Sequence, residues 1–137
     1  MDEVHRAYFK GRVQTADPLS LVRLLYDNAL QSVKTAREML QARDIAARSD
    51  AISKASDCLC LLTDSLSLEE GGEISSNLLA LYGYMQNRLL QANLNQTDDP
   101  LAEVQSLLTT LHSAWAELAD AESGMDRLQD VSVASRT

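Results

Sequence analysis

From Leu19 onward, apolar or small side chains recur at Leu19, Val22, Tyr26, Ala29, Val33, Ala36 and Leu40, in alternating steps of three and four. That spacing keeps them on one stripe of an α-helix, the pattern of a bundle seam. The same rhythm returns at Leu101, Val104, Leu108, Leu111, Trp115 and Leu118. Asp17-Pro18 and Asp99-Pro100 stand just before the two stripes, each placing Asp as a helix cap and Pro in the first turn. Between them lie two further stripes, Ile45, Ile52, Ala55, Leu59, Leu62, Leu66 and Ile74, Leu78, Leu81, Met85, Leu89, Ala92. Asp44 opens the first of these, and the pair Gly71-Gly72 separates it from the second. No stretch alternates with the period of two that a strand requires. The expected fold is all-α: an antiparallel four-helix bundle over residues 17–120 with short loops. Residues 1–16 are expected to form a mobile N-terminal cap carrying Tyr8 and Phe9. Residues 121–137 read as a C-terminal tail in which Met125, Leu128 and Val131 permit a short helix.

Composition narrows the function. A length of 137 residues suits one domain with its own core. The formal net charge is −8 and uneven: +1 over residues 1–60 and −9 over residues 61–137. Neutralising phosphates needs a basic face, so nucleic acid is a poor partner, and so is an anionic membrane surface. Cys58 and Cys60 are two apart, on different sides of a helix, and are expected to be reduced and buried, as in a cytoplasmic protein. The chain opens on Met1-Asp2-Glu3, unlike a secretory leader, and no run approaches the ~18 apolar residues of a membrane span.

The residues of chemistry are scattered. His5 and His112 lack partners at the spacing of a bundle metal site. Glu69-Glu70 and Asp98-Asp99 sit at expected helix starts, where negative charge complements the dipole. Gly71-Gly72 lacks the lysine and preceding strand of a phosphate loop. No nucleophile, base and oxyanion site assemble, so neither a catalytic residue, a metal nor a cofactor is expected, and the chain does not read as an enzyme.

What remains is surplus apolar surface. Leu79, Tyr82 and Leu90 lie off the main stripe of the third helix, and Leu21 and Leu25 off that of the first. A wide stripe means either a helix covered on two sides or a groove that takes a partner's amphipathic helix.

Two blocks carry a resemblance. Val13-Gln14-Thr15-Ala16-Asp17-Pro18-Leu19-Ser20-Leu21-Val22-Arg23-Leu24-Leu25-Tyr26-Asp27-Asn28-Ala29 is one. Gly71-Gly72-Glu73-Ile74, Asn77-Leu78, Leu81-Tyr82-Gly83-Tyr84-Met85 and Arg88-Leu89-Leu90-Gln91-Ala92-Asn93 make up the other. In order and spacing, over about residues 5–120, the chain resembles the flagellin export chaperone family, FliS. Asn28 stands where that family usually has Gly, and it needs wider helix spacing or a new hydrogen bond. The resemblance implies a cytoplasmic chaperone that binds the C-terminal helical segment of flagellin and prevents premature polymerisation. It further implies delivery to the flagellar type III export gate, through the gate protein FlhA. On this reading Tyr8 and Phe9 act as cap residues, and Leu21, Leu25, Leu79, Tyr82 and Leu90 contact the partner. Tyr26, Asp27, Gly71 and Gly72 maintain the bundle. The alternative is a regulatory helical-bundle protein that sequesters another flagellar assembly factor.

Overall fold

Helix α1 spans Pro18–Gln41, α2 Ile45–Asp64, α3 Leu68–Asn95 and α4 Asp99–Ser135. This computed structural model describes residues 18–66 and 68–135, with side-chain surroundings for 19–66 and 71–118. Tyr8, Phe9 and the expected cap Asp17 lie outside the described residues. Among the described residues every regular element is helical. Short connections reverse the chain three times, giving an antiparallel four-helix bundle. Helix α1 packs on α2 and α4, and α3 packs on the same two, so α1 and α3 sit on a diagonal.

Each reversal has a local cause. Arg43 adopts φ 58° and Gln96 φ 53°, left-handed residues that stop α1 and α3. The amide of Asp44 then donates to the Met39 carbonyl at 3.0 Å and that of Thr97 to the Ala92 carbonyl at 3.3 Å, satisfying helix-end acceptors. Asp44 caps α2 as expected, accepting from the Ala47 amide at 3.0 Å. Gly72 breaks the first turn of α3 with φ 52° and ψ −124°.

The core takes its residues from the four stripes: Tyr26, Ala29, Val33 and Ala36; Ile52, Ala55, Leu59 and Leu62; Met85, Leu89 and Ala92; Leu101, Val104 and Leu108. The pairing of α1 with α2 is the most extensive, where buried Ala29, Ala36, Ala51 and Ala55 let two backbones approach. The stripes fail at their ends, leaving Ile45, Ile74 and Leu118 exposed. Ile45 is the first residue of α2, Ile74 follows the Gly72 break, and Leu118 lies level with the start of α1, where cover runs out.

Polar ties clamp the seams. Arg37 donates through Nε and Nη2 to both carboxylate oxygens of Asp98, each at 2.8 Å, and through Nη1 to Gln105. This joins the end of α1 to the start of α4. Buried Arg48 donates to Asn93 Oδ1 at 3.2 Å, and Ser56 and Gln86 pair, both across α2 and α3. Glu103 of α4 accepts from Arg88 at 2.9 Å and from Tyr84, both on α3. Helix α4 has 37 residues, about 55 Å at 1.5 Å per residue, against 24 for α1. It therefore continues past the bundle to Ser135, where the fading apolar pattern suggested a tail with at most a short helix.

Candidate functional site

A groove of about 600 Å³ runs along the outer junction of α1 and α2. Asn28, Ser32, Thr35 and Met39 form its α1 wall, and Ala47, Ala51, Cys58 and Leu61 its α2 wall. These positions also step by three and four, so each helix carries a second stripe beside its core seam. Small side chains on that stripe are what leave the groove open. Charge sits on the α2 side: Lys54 pairs with Asp50 at 3.2 Å, and Asp57 lies a turn away. The Asn28 amide donates to its own helix's Leu24 carbonyl at 2.8 Å, the hydrogen bond that the sequence allowed for. The floor is apolar and the lip polar, as suits an amphipathic segment laid along it.

A second cavity of about 430 Å³ opens where α1 begins, lined by Val22, Leu66, Ile74, Leu78, Tyr82 and Trp115. Below it the hydroxyls of Tyr26 and Tyr82 meet at 2.6 Å, with ring centroids 6.5 Å apart. Burial pushes both phenols above the ordinary tyrosine pKa. Trp115 lines the same cavity on the α4 side.

The residues expected at a partner surface divide. Leu79 and Leu90 are exposed, at 40% and 55%. Leu21 is partly buried against the core. Leu25 and Tyr82 are a correction: they are buried, at 0% and 1%, and offer nothing to a partner in this conformation. The reason is the width of the buried arc. Each helix packs on two neighbours, so α3 buries Tyr82 beside Met85 and Leu89, and α1 buries Leu25 beside Tyr26 and Ala29. Tyr26 lies in the core. The Asp27 carboxylate lies 2.5 Å from His112 Nε2, bridging α1 and α4, though the pair is not aligned for a hydrogen bond. At Gly71 an added Cβ would meet Ser75 Oγ at 1.7 Å, and Gly72 holds a left-handed φ. Sequence reasoning missed the groove itself. Its signal, Ala47, Ala51, Lys54, Cys58, Leu61 in steps of four and three, was legible but not apolar enough to stand out.

The arrangement carries little chemistry. Among the described residues no group of His, Cys, Asp and Glu is placed to hold a metal. Cys58 is buried and its thiol is pushed up to about 12, first by burial and then by Asp57. Cys60, expected to be buried, is exposed, because it falls beside Gln86 on the outer α2–α3 seam. Among the described residues no helix is long and apolar enough to cross a membrane.

An all-helical bundle of this topology agrees with what comparison finds. The family profile described as Flagellar protein FliS matches residues 1–122. The chain is 38% identical over 111 residues to the Flagellar secretion chaperone FliS of Salmonella typhimurium, covering 80% of this chain and 82% of that one. It is 35% identical over 109 residues to that of Escherichia coli, covering 79% and 80%. With that of Bacillus subtilis it shares 30% over 118 residues, covering 86% and 87%. Profile, spacing and fold agree, and the chain belongs to the FliS family of flagellar secretion chaperones.

Proposed function

We propose that this chain binds the C-terminal helical segment of flagellin in the cytoplasm, keeps it from polymerising, and delivers it to the export gate component FlhA. The observation that carries the reading is the α1–α2 groove, about 600 Å³ with an apolar floor and a polar lip. A segment that assembles through an apolar helical face needs that face covered, and a groove of this form covers it. Leu21, Leu79 and Leu90 are proposed as outlying contacts where the client continues around the bundle. The N-terminal segment with Tyr8 and Phe9 is proposed to cover apolar surface near the start of α1, where the second cavity opens. Leu25, Tyr26 and Tyr82 act indirectly, by holding the helices that form these walls.

Calorimetric titration of the chain with a peptide of the flagellin C-terminal segment tests this. Ala47→Trp fills the groove from a partly exposed position, and it is expected to weaken binding at least tenfold with melting unchanged. Leu90→Ala is expected to weaken binding less. A peptide that binds Ala47→Trp as tightly as the native chain removes the groove from the reading. A peptide that binds neither removes flagellin.

A further inference from the structure

The groove between α1 and α2 differs on its two sides. Its α1 wall is uncharged: Asn28, Gln31, Ser32, Thr35 and Met39 bring only amides, hydroxyls and a thioether. Its α2 wall carries Asp50, Lys54 and Asp57. Lys54 is drawn to Asp50 at 3.2 Å, so the ammonium of this wall is held against a carboxylate toward one end. Asp50, Asp57 and Asp64 recur every seven residues on α2. That spacing puts them in one row, two turns or about 10.5 Å apart. Asp64 is exposed and continues the row past Leu61, where the α2 wall ends. Three carboxylates thus stand against one ammonium along this lip. The charge of Asp57 reaches the floor, where burial first and Asp57 second lift the Cys58 thiol to about 12.

An amphipathic helix laid in a groove with its apolar face down has two polar flanks. Turning it end for end exchanges the wall that each flank meets, so two equal walls would accept both directions. We propose that the α2 lip sets the direction of the client: the groove takes an amphipathic helical segment with basic residues seven apart on one flank, and that flank faces Asp57 and Asp64. The uncharged flank then faces α1. Spacing by seven suits two helices lying side by side, since each returns to nearly the same side after two turns. A basic flank is also what a net charge of −8 draws in over distance. The inference rests on the reading of the groove as the client site, and adds which segment fits and which way it lies. Lip contacts are open to solvent, so each is worth a few-fold in affinity rather than orders of magnitude.

Calorimetric titration of the full chain with the flagellin C-terminal peptide, at about 50 mM and about 0.5 M salt, tests the lip. At the lower salt Asp57→Asn is expected to weaken binding about threefold and Asp57→Lys about tenfold; at the higher, both should return to within about twofold of the native chain. Asp64→Lys, at an exposed position past the groove, should weaken binding with the same salt dependence, which separates the lip from any local effect of Asp57 on the fold. Glu117→Lys, exposed on α4, makes the same change in net charge and should alter affinity less than about twofold. Direction is read separately. A nitroxide at one end of the peptide should broaden the amide signals of Ala47 and Leu61, at opposite ends of the α2 wall, unequally in the native chain and more nearly equally when Asp57→Lys and Asp64→Lys are combined.

Unchanged affinity in Asp57→Lys and Asp64→Lys overturns the proposal. So does a loss that salt does not relieve, an equal loss in Glu117→Lys, or equal broadening at both ends of the native groove. If Ala47→Trp still weakens binding while the lip variants do not, the groove reading stands and the lip falls. If Ala47→Trp binds as the native chain does, the groove reading falls and takes the lip with it.

Discussion

Tyr26 of α1 and Tyr82 of α3 join their hydroxyls at 2.6 Å across the diagonal of the bundle, linking two helices that share no packed seam. Both rings are fully buried. Removing one hydroxyl leaves the other short of a partner in an apolar core. Tyr82→Phe is therefore expected to cost about 1–2 kcal/mol in chemical denaturation. The double variant Tyr26→Phe with Tyr82→Phe should cost less than the sum of the singles, because no orphan remains. An additive cycle would show that the two hydroxyls are not coupled.

The same burial sets an alkaline limit. Both phenols have folded-state pKa values raised above the unfolded value near 10, first by desolvation. The folded state holds its protons more tightly than the unfolded chain, so this contribution is fully present below pH 10 and is lost as pH rises beyond it. Ultraviolet titration at equilibrium should show Tyr26 and Tyr82 ionising only together with loss of helix. A hydroxyl pair that ionises while circular dichroism stays native would contradict the buried placement.

The fold was largely legible because burial and helix periodicity are one pattern here: core-facing Tyr26, Val33, Leu59, Met85 and Leu108 all lie on stripes of alternating three and four. The site was legible only in part. Leu25 and Tyr82 looked surplus because a single stripe is narrower than the arc a helix buries against two neighbours. Ile45 and Ile74 looked like core because a stripe does not say where the facing helix ends. The α1–α2 groove left the faintest trace, since small and polar residues such as Ser32, Thr35 and Ala47 are what make an opening.

Arg37 offers a test of the closed end of the bundle. Its two bonds to Asp98 fix the end of α1 against the start of α4, but both side chains are more than a third exposed. Solvent and salt screen such a pair, so Arg37→Ala is expected to cost no more than about 1 kcal/mol despite the ideal geometry. Arg37→Lys keeps the charge and loses the paired donors, and should recover only part of that. The difference between variants should shrink in 1 M salt; a salt-independent loss would assign the effect to packing of the guanidinium stem.

The two thiols should separate by rate. Cys58 is buried with its pKa pushed up to about 12, so little thiolate forms at neutral pH. Cys60 is exposed. An aromatic disulfide reagent is expected to titrate one equivalent quickly and the second only as the chain unfolds. Cys60→Ser should remove the fast phase alone.

Glycine is used in this chain both where the backbone demands it and where it does not, and substitution should tell these apart by sign. Gly72 holds φ 52° and ψ −124°, open to side chains but strained for them, so Gly72→Ala is expected to cost roughly 1–3 kcal/mol. Gly71→Ala should also destabilise, because Ser75 must move from where the new methyl would sit. Gly83 is helical with free space around it, so Gly83→Ala should stabilise the monomer, by up to about 1 kcal/mol. Gln96 reverses the logic: it adopts φ 53° at the end of α3, and Gln96→Gly should gain about 1 kcal/mol by relieving a left-handed residue. Thermal melts read all four. Destabilisation by Gly83→Ala would mean that the glycine serves the fold itself.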